Sequence, residues 1–389
     1  MHIATGASIR PEIADALSEA ATAAAAGLRG TAADLTLVFV SHHHRDGFAE
    51  LAAGLQRLLP SRCLLGCSGE SIIADGREIE SGPAVSVWTA SLPKSELLPF
   101  RIEFEPTPDG VVCTGLPDQL ADQPERVRAV ILLGEPYSSA PKSVLDRLAD
   151  DLPGVPVVGG MASGGGPSEN NLFFGGDSVQ QGAVGVALLD GPVVRTLVSQ
   201  GCKPIGNTYI VTRSERNVIY ELGGRPAMER LQELYPTLSA GDQKLIEQGL
   251  HVGLAMSEYQ ERYGRGDFLI SNVMGAHRES GAILLGNLVR TGQTVQFHVR
   301  DSDTADEDLH QMLETHRQQG HAAPLGGLLF SCNGRGTRLF PGPHHDAAAI
   351  QRHLGPLPVA GLFAAGEIGP VGGRNYVHGF TASLALFEG

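Results

Sequence analysis

The sequence predicts an α+β protein of two related domains, built from repeated β-α-β-β units with mixed sheets and helices packed on them. Two observations carry this. An apolar strand, a helix, a second strand running into a glycine-rich bend and a small-residue strand recur three times in that order. The first strand and the bend are 29 residues apart from Leu37 to Gly66 and again from Val130 to Gly159, and the third copy, Gly327 to Phe387, has a longer link. A triple match in one order points to an internal repeat. The second observation is composition: 50 glycines and 24 prolines in 389 residues suit many short strands better than a helical bundle.

Length and charge bound the function. A chain of 389 residues exceeds one ordinary core and suits two domains. The formal charge of −14, with no run of arginine or lysine, argues against nucleic acid as a partner. No apolar stretch approaches the ~18–20 residues that span a bilayer. The start of the chain, with Arg10, Glu12 and Asp15, does not read as a signal peptide, so the expected location is the cytoplasm. Cys63, Cys67, Cys113, Cys202 and Cys332 are odd in number and scattered, which disfavours a disulfide framework and a structural zinc site.

In order, Ile3 to Ile9 reads as a strand and Pro11 to about Gly27 as a helix with proline in its first turn. Leu35 to Val40 is a continuous apolar run typical of a buried strand. Phe48 to Leu59 has helical spacing, and Cys63 to Leu65 leads into Gly66-Cys67-Ser68-Gly69-Glu70-Ser71. Ala84 to Ala90 and Leu97 to Glu105 alternate as strands. The second copy has strands Val130 to Leu133 and Val155 to Val158, a helix Lys142 to Leu152, a bend Gly159 to Gly166 and a strand Gly182 to Leu189. A more antiparallel region follows. Arg195 to Ser199, Thr208 to Thr212 and Asn217 to Leu222 read as strands, then a helix Ala227 to Leu234. A second helix, capped at Ser239, is expected to reach about Met256. Asp267 to Val273 and Gly281 to Val289 suit a hairpin, Thr294 to Val299 a strand, and Asp303 to Gln318 a helix with acidic first turns. The most economical boundary lies near Val198 to Gly206, giving domains 1–200 and 201–389.

The C-terminal copy holds the candidate site. Leu328-Leu329-Phe330 ends in Ser331-Cys332-Asn333-Gly334-Arg335-Gly336, and Val359 to Ala365 breaks at Gly366-Glu367-Ile368-Gly369-Pro370, with a helix-like His344 to Leu354 between. Two buried strands joined by a crossover helix lie parallel and open on one sheet edge, where open sheets collect ligands. Cys332, Asn333, Arg335 and Glu367 are therefore expected to face one another.

These motifs, Phe330-Ser331-Cys332-Asn333-Gly334-Arg335-Gly336 followed by Gly366-Glu367-Ile368-Gly369, resemble the C-terminal FIST domain, a small-ligand sensory module of bacterial signalling proteins also found in some eukaryotic F-box proteins. The strand-helix-strand order ending at Gly66 to Ser71, and again at Gly159 to Gly166, resembles the N-terminal FIST domain. Together they cover nearly the whole chain. The resemblance implies binding of small molecules, amino acids among them, and signalling through partner proteins; some members are haemoproteins that sense nitric oxide. No kinase, cyclase or chemotaxis-receptor segment is appended, so output is expected to pass through a separate protein.

Each candidate residue has two readings. Arg335, between glycines, suits a ligand carboxylate or phosphate, or an internal salt bridge to Glu367. Glu367 suits an ammonium group or a turn cap. Cys332 is an inert pocket-lining thiol or, beside a cation and given a base, a nucleophile. Three adjacent histidines, His42-His43-His44, cannot all reach one ion from a strand, so they are read as a polar strand end. One of them, or His251, His277 or His298, could serve as a haem ligand, though the spacing selects none. The bends near Ser68 and Ser163 offer N–H groups to an anion, or simply need glycine for a tight crossing. The combined expectation is a non-catalytic sensor of an anionic or zwitterionic metabolite. Cys332, Asn333, Arg335 and Gly336 would meet Glu367 there, supported by Ser68, Glu70 and Ser163, with no cofactor. A haem-based gas sensor and a Cys332-dependent enzyme are the alternatives.

Overall fold

The computed structural model describes residues 1–389 except positions 109, 261 and 265. It is an α+β fold whose backbone divides into two compact units, 1–199 with 309–377 and 381–389, and 200–308 with 378–380. The halves 1–200 and 201–389 are thus a different partition from the compact units. The first unit ends at residue 199 and is resumed from residue 309, with 378–380 excepted.

Strand pairing explains the return. In the first unit the expected order, strand, helix, parallel strand, occurs at Ala33–Ser41 with Ser61–Gly69, at Val127–Gly134 with Val157–Met161, and at Pro324–Cys332 with Val359–Ala364. Each pair sits in its own mixed sheet. The C-terminal sheet recruits Ile72–Ala74 beside Val359–Ala364, and Val157–Met161 recruits Glu367–Val371, both antiparallel. Residues far apart in sequence thereby share ladders.

In each parallel pair a glycine of the second strand faces the first: Gly66 opposite Val38, Gly159 opposite Leu132, Gly361 opposite Leu329. A Cβ there would lie 2.2, 1.8 and 1.7 Å from the facing carbonyl oxygen. The expected requirement for glycine at tight strand crossings is met at these positions.

The three sheets turn one face to a common core. Leu35, Leu37 and Phe39 point inward with Trp88, Ile131, Phe330 and Phe387, and Phe39 meets Phe330 edge-on at 6.0 Å. Val38 and Val40, of opposite parity, pack outward on the helices Ile13–Gly27 and Phe48–Leu58. The helices Pro141–Asp151 and His345–Leu354 cover the other sheets in the same way, through Val144 and Leu148 and through Ala347 and Ile350. This is the period-2 alternation of strands covered on both faces.

The second unit is an antiparallel sheet with helices Ala227–Leu234 and Ala240–Gln248. The second helix starts where expected, with Ser239 Oγ accepting from Asp242 N, but ends at Gln248 rather than near Met256. Leu250–Ala255 is a strand between its neighbours Thr294–Arg300 and Phe268–His277. Val252 and Leu254 alternate into that unit's core, so strand pairing prevails over helix continuation. Among the described residues no helix is long and apolar enough to cross a membrane.

Candidate functional site

The strand ends bring several of the candidate residues together. Cys332 lies opposite Ala364 at the end of the parallel pair, and Asn333 N donates to Ala364 O at 3.1 Å. Gly160 pairs with Glu367 across the adjoining sheet. Ser163 Oγ donates to Phe363 O at 2.5 Å and accepts from Glu70 N at 2.8 Å, while Ser163 N donates to Ser68 O at 3.1 Å. The Glu70 carboxylate pairs with Arg338, whose Nη1 also donates to Asn333 O at 2.9 Å. Ser68, Glu70, Ser163, Cys332, Asn333 and Glu367 are therefore one bonded neighbourhood. Ser68 and Ser163 are sealed within it and act as ties between strand ends.

Arg335 has a different partner from either expected one. It is 1 % exposed, and its Nε and Nη2 donate to the two oxygens of Asp346, each at 2.7 Å. Asp346 lies in the first turn of the helix His345–Leu354, which brings its carboxylate to the sheet edge beneath the Arg335 turn. Ser331 Oγ adds a bond at 2.8 Å and His345 Nδ1 another at 2.9 Å. Burial pushes the Asp346 carboxyl up, but the Arg335 charge and these bonds outweigh it and hold it below the ordinary range. The bidentate fork that would take a ligand carboxylate is therefore occupied internally. The guanidinium at this edge that solvent reaches is Arg338, its side chain 57 % exposed.

Gly336, with φ +60, lets the Glu80 carboxylate approach where a Cβ would meet it at 2.6 Å, and Glu80 then accepts from Thr337 N and Oγ. The bend after Gly159 is likewise filled from within: Gly165 N donates to Asn170 Oδ1 and Gly166 N to Glu169 Oε2. Its N–H groups serve the protein's own acceptors.

Two further carboxyls surround the ion pair. Glu367 is fully buried, its Oε2 accepting from Thr381 N at 3.1 Å and Thr381 Oγ at 2.9 Å. Burial pushes it up to about 8, against the pull of Thr381, Arg335 and the Cys332 thiol, which lies within hydrogen-bonding reach. Glu78, from the N-terminal hairpin strand Arg77–Ile79, accepts from Ala347 N at 2.9 Å and is pushed up to about 7 by burial and by Asp346. Four polar atoms here are buried without a hydrogen-bond partner among the described residues: Arg335 Nη1, Glu367 Oε1, Glu78 Oε2 and Asn333 Oδ1. Buried polar atoms ordinarily find protein, water or ligand partners. Asp346, Glu78, Arg338 and Thr381 escaped the sequence reading; only Asp346, an acid opening the crossover helix, carried a local signal.

The histidines fall in separate surroundings. His42 packs on Phe48, His43 is exposed and His44 is buried. In the second unit His251 lies against Phe380 with ring centroids 4.4 Å apart, and His277 bonds Ser280 at an exposed turn. His298 borders a cavity of about 10 Å³. That volume holds a water and not a macrocycle, so the residues as arranged do not fit haem against His298.

A family model described as FIST N domain matches residues 34–225, and one described as FIST C domain matches residues 227–370. The chain is similar to the uncharacterized protein Rv0628c of Mycobacterium tuberculosis H37Rv, 43% identical over 389 residues covering all of both chains. It is also similar to the uncharacterized protein Mb0898c of Mycobacterium bovis, 41% identical over 393 residues covering 100% of this chain and 99% of the relative.

Proposed function

This chain belongs to the FIST family, whose domains are sensory domains of signal transduction, and from that premise we propose that it senses a small zwitterionic or anionic metabolite at the strand-end edge around Glu367. The observation that carries the reading is the set of buried polar atoms without a partner among the described residues, one guanidinium nitrogen, two carboxyl oxygens and one amide oxygen, around the ends of adjoining strands. A zwitterion supplies the complement of two of these atoms, Glu367 Oε1 and Asn333 Oδ1. Its ammonium group goes to Glu367 and Asn333 Oδ1, and its carboxylate goes to Arg338 on the rim. Arg335 serves as a positive prop beneath, neutralised by Asp346, instead of the primary carboxylate receptor. Binding at a place where several sheets meet biases their packing, and a separate signalling protein reads the change.

Thermal shift and titration calorimetry of the full chain against the amino acids, their N-acetyl derivatives and simple carboxylates test this. A stabilising free amino acid whose N-acetyl form is inert supports the reading. No shift from any of them, at concentrations where about 100 Kd would add roughly 2.7 kcal/mol, overturns it.

A further inference from the structure

We propose that Cys332 is a site of oxidation by hydrogen peroxide, with Glu367 supplying the proton that the departing oxygen takes. The inference uses the same edge as the ligand reading but is tested with no ligand present, so either can fail alone.

The five thiols divide by surroundings. Cys63, Cys67 and Cys202 are buried, and burial pushes the Cys63 thiol up to about 12. Cys113 and Cys332 are part-exposed. Cys113 lies on the outer strand Gly110–Thr114, whereas Cys332 ends a strand of the core. Its sulfur accepts from Gly334 N at 3.4 Å, and the buried Arg335 cation acts on it electrostatically. A backbone donor and a nearby cation both favour a thiolate. The Glu367 carboxyl is within hydrogen-bonding reach of the same sulfur. Two fully buried side chains beside this part-exposed thiol, Glu367 and Arg335, each keep one polar atom without a partner among the described residues, an arrangement that a packing cysteine does not require.

The chemistry starts with one proton shared between sulfur and carboxyl, drawn as thiolate and carboxylic acid. The sulfur attacks one peroxide oxygen, an S–O bond forms and the O–O bond breaks, moving two electrons from sulfur to peroxide. The departing hydroxide takes the Glu367 proton and leaves as water. The products are the Cys332 sulfenic acid and the Glu367 carboxylate, which reprotonates from solvent. Protons and charge balance, and hydrogen peroxide is the sole oxidant.

The experiment treats the full chain with hydrogen peroxide, traps sulfenic acid with dimedone and maps the cysteine peptides. Cys332 is expected to react faster than Cys113 in the same digest by about tenfold or more. Glu367→Gln keeps the size and polarity of the group and removes the proton. It should slow oxidation of Cys332 by about 10²-fold, the usual scale of general acid catalysis. Alkylation by iodoacetamide, whose iodide leaves unprotonated, should change by less than about threefold. Oxidation of Cys332 no faster than of Cys113 overturns the proposal and requires no variant. Equal losses of oxidation and alkylation in Glu367→Gln also overturn it, because Glu367 would then only shape access to the sulfur.

Discussion

Arg335 and Asp346 form a closed pair: two bonds of 2.7 Å join guanidinium to carboxylate, and neither side chain is more than 1 % exposed. Removing one member leaves an uncompensated charge in the interior. Arg335→Met is therefore expected to lower the unfolding free energy by about 3–5 kcal/mol, and the double variant Arg335→Met with Asp346→Leu to recover most of it. Urea unfolding of the three proteins checks this. A single variant as stable as the parent would mean that solvent relieves Asp346.

Glu367 makes the first unit sensitive to alkali. Its folded carboxyl titrates at about 8 and its ordinary value is 4.5, so between these the folded form holds a proton that the unfolded form has lost. The contribution to stability is full below about 4.5 and is lost as the pH rises through about 8, on the order of 3–5 kcal/mol. Glu78 adds a loss of the same sign up to about 7. Asp346 acts oppositely: its stabilisation is present above its ordinary 3.8 and disappears as acid protonates it. Melting temperature should therefore peak in mild acid and decline toward pH 9, and Glu367→Gln should flatten the decline.

The second unit should show the reverse trend. Burial first, then Arg300 and the neighbouring ring, lowers His251 to about 4, and burial lowers His298 to about 4. Their unfolded forms protonate near 6.5, so stability in that unit falls as the pH drops from 6.5 toward 4. Hydrogen exchange at Leu250–Ala255 should thus accelerate relative to Ala33–Ser41 on acidification, once intrinsic exchange rates are divided out.

An ammonium ligand that draws Glu367 into its ionised form releases a proton on binding. Affinity should climb with pH up to about 8 and then level, and calorimetry in buffers of different ionisation enthalpy should report proton release. Arg338→Ala should weaken such binding while changing stability by less than about 1 kcal/mol, because its pair with Glu70 is solvent-exposed.

Gly361→Ala puts a methyl carbon 1.7 Å from Leu329 O, a backbone atom that cannot swing aside. We expect the parallel pair to separate, with a stability loss of about 3 kcal/mol, the upper end of the usual range for overpacked cores. Gly342→Ala, which meets nothing within 4 Å, is the matched control.

Much of the fold was legible because continuous apolar runs such as Leu328 to Phe330 and Val359 to Ala364 mark strands covered on both faces, and the crossover helix fixes their parallel sense. That sense placed Cys332 and Asn333 at the strand ends, where Glu367 joins them from the adjoining sheet beside Gly160. The partner of Arg335 was not legible, because several acids lie within reach in sequence and only the rotation of the helix His345–Leu354 selects Asp346. Glu78 was hidden more deeply. It enters through the pairing of Ile72–Ala74 with Val359–Ala364, an antiparallel contact nearly three hundred residues apart that leaves no periodic trace. The helix expected to reach Met256 shows the same limit, since the alternation of Val252 and Leu254 was outweighed by a capping signal upstream.

The ladder between Ile72–Ala74 and Val359–Ala364 has a consequence for synthesis. A ribosome releases the early strand long before its neighbour exists, so that segment waits with one hydrogen-bonding margin bare. Expressing residues 1–226 by themselves should accordingly yield a polypeptide prone to clump, and supplying residues 309–389 as a second fragment should rescue it.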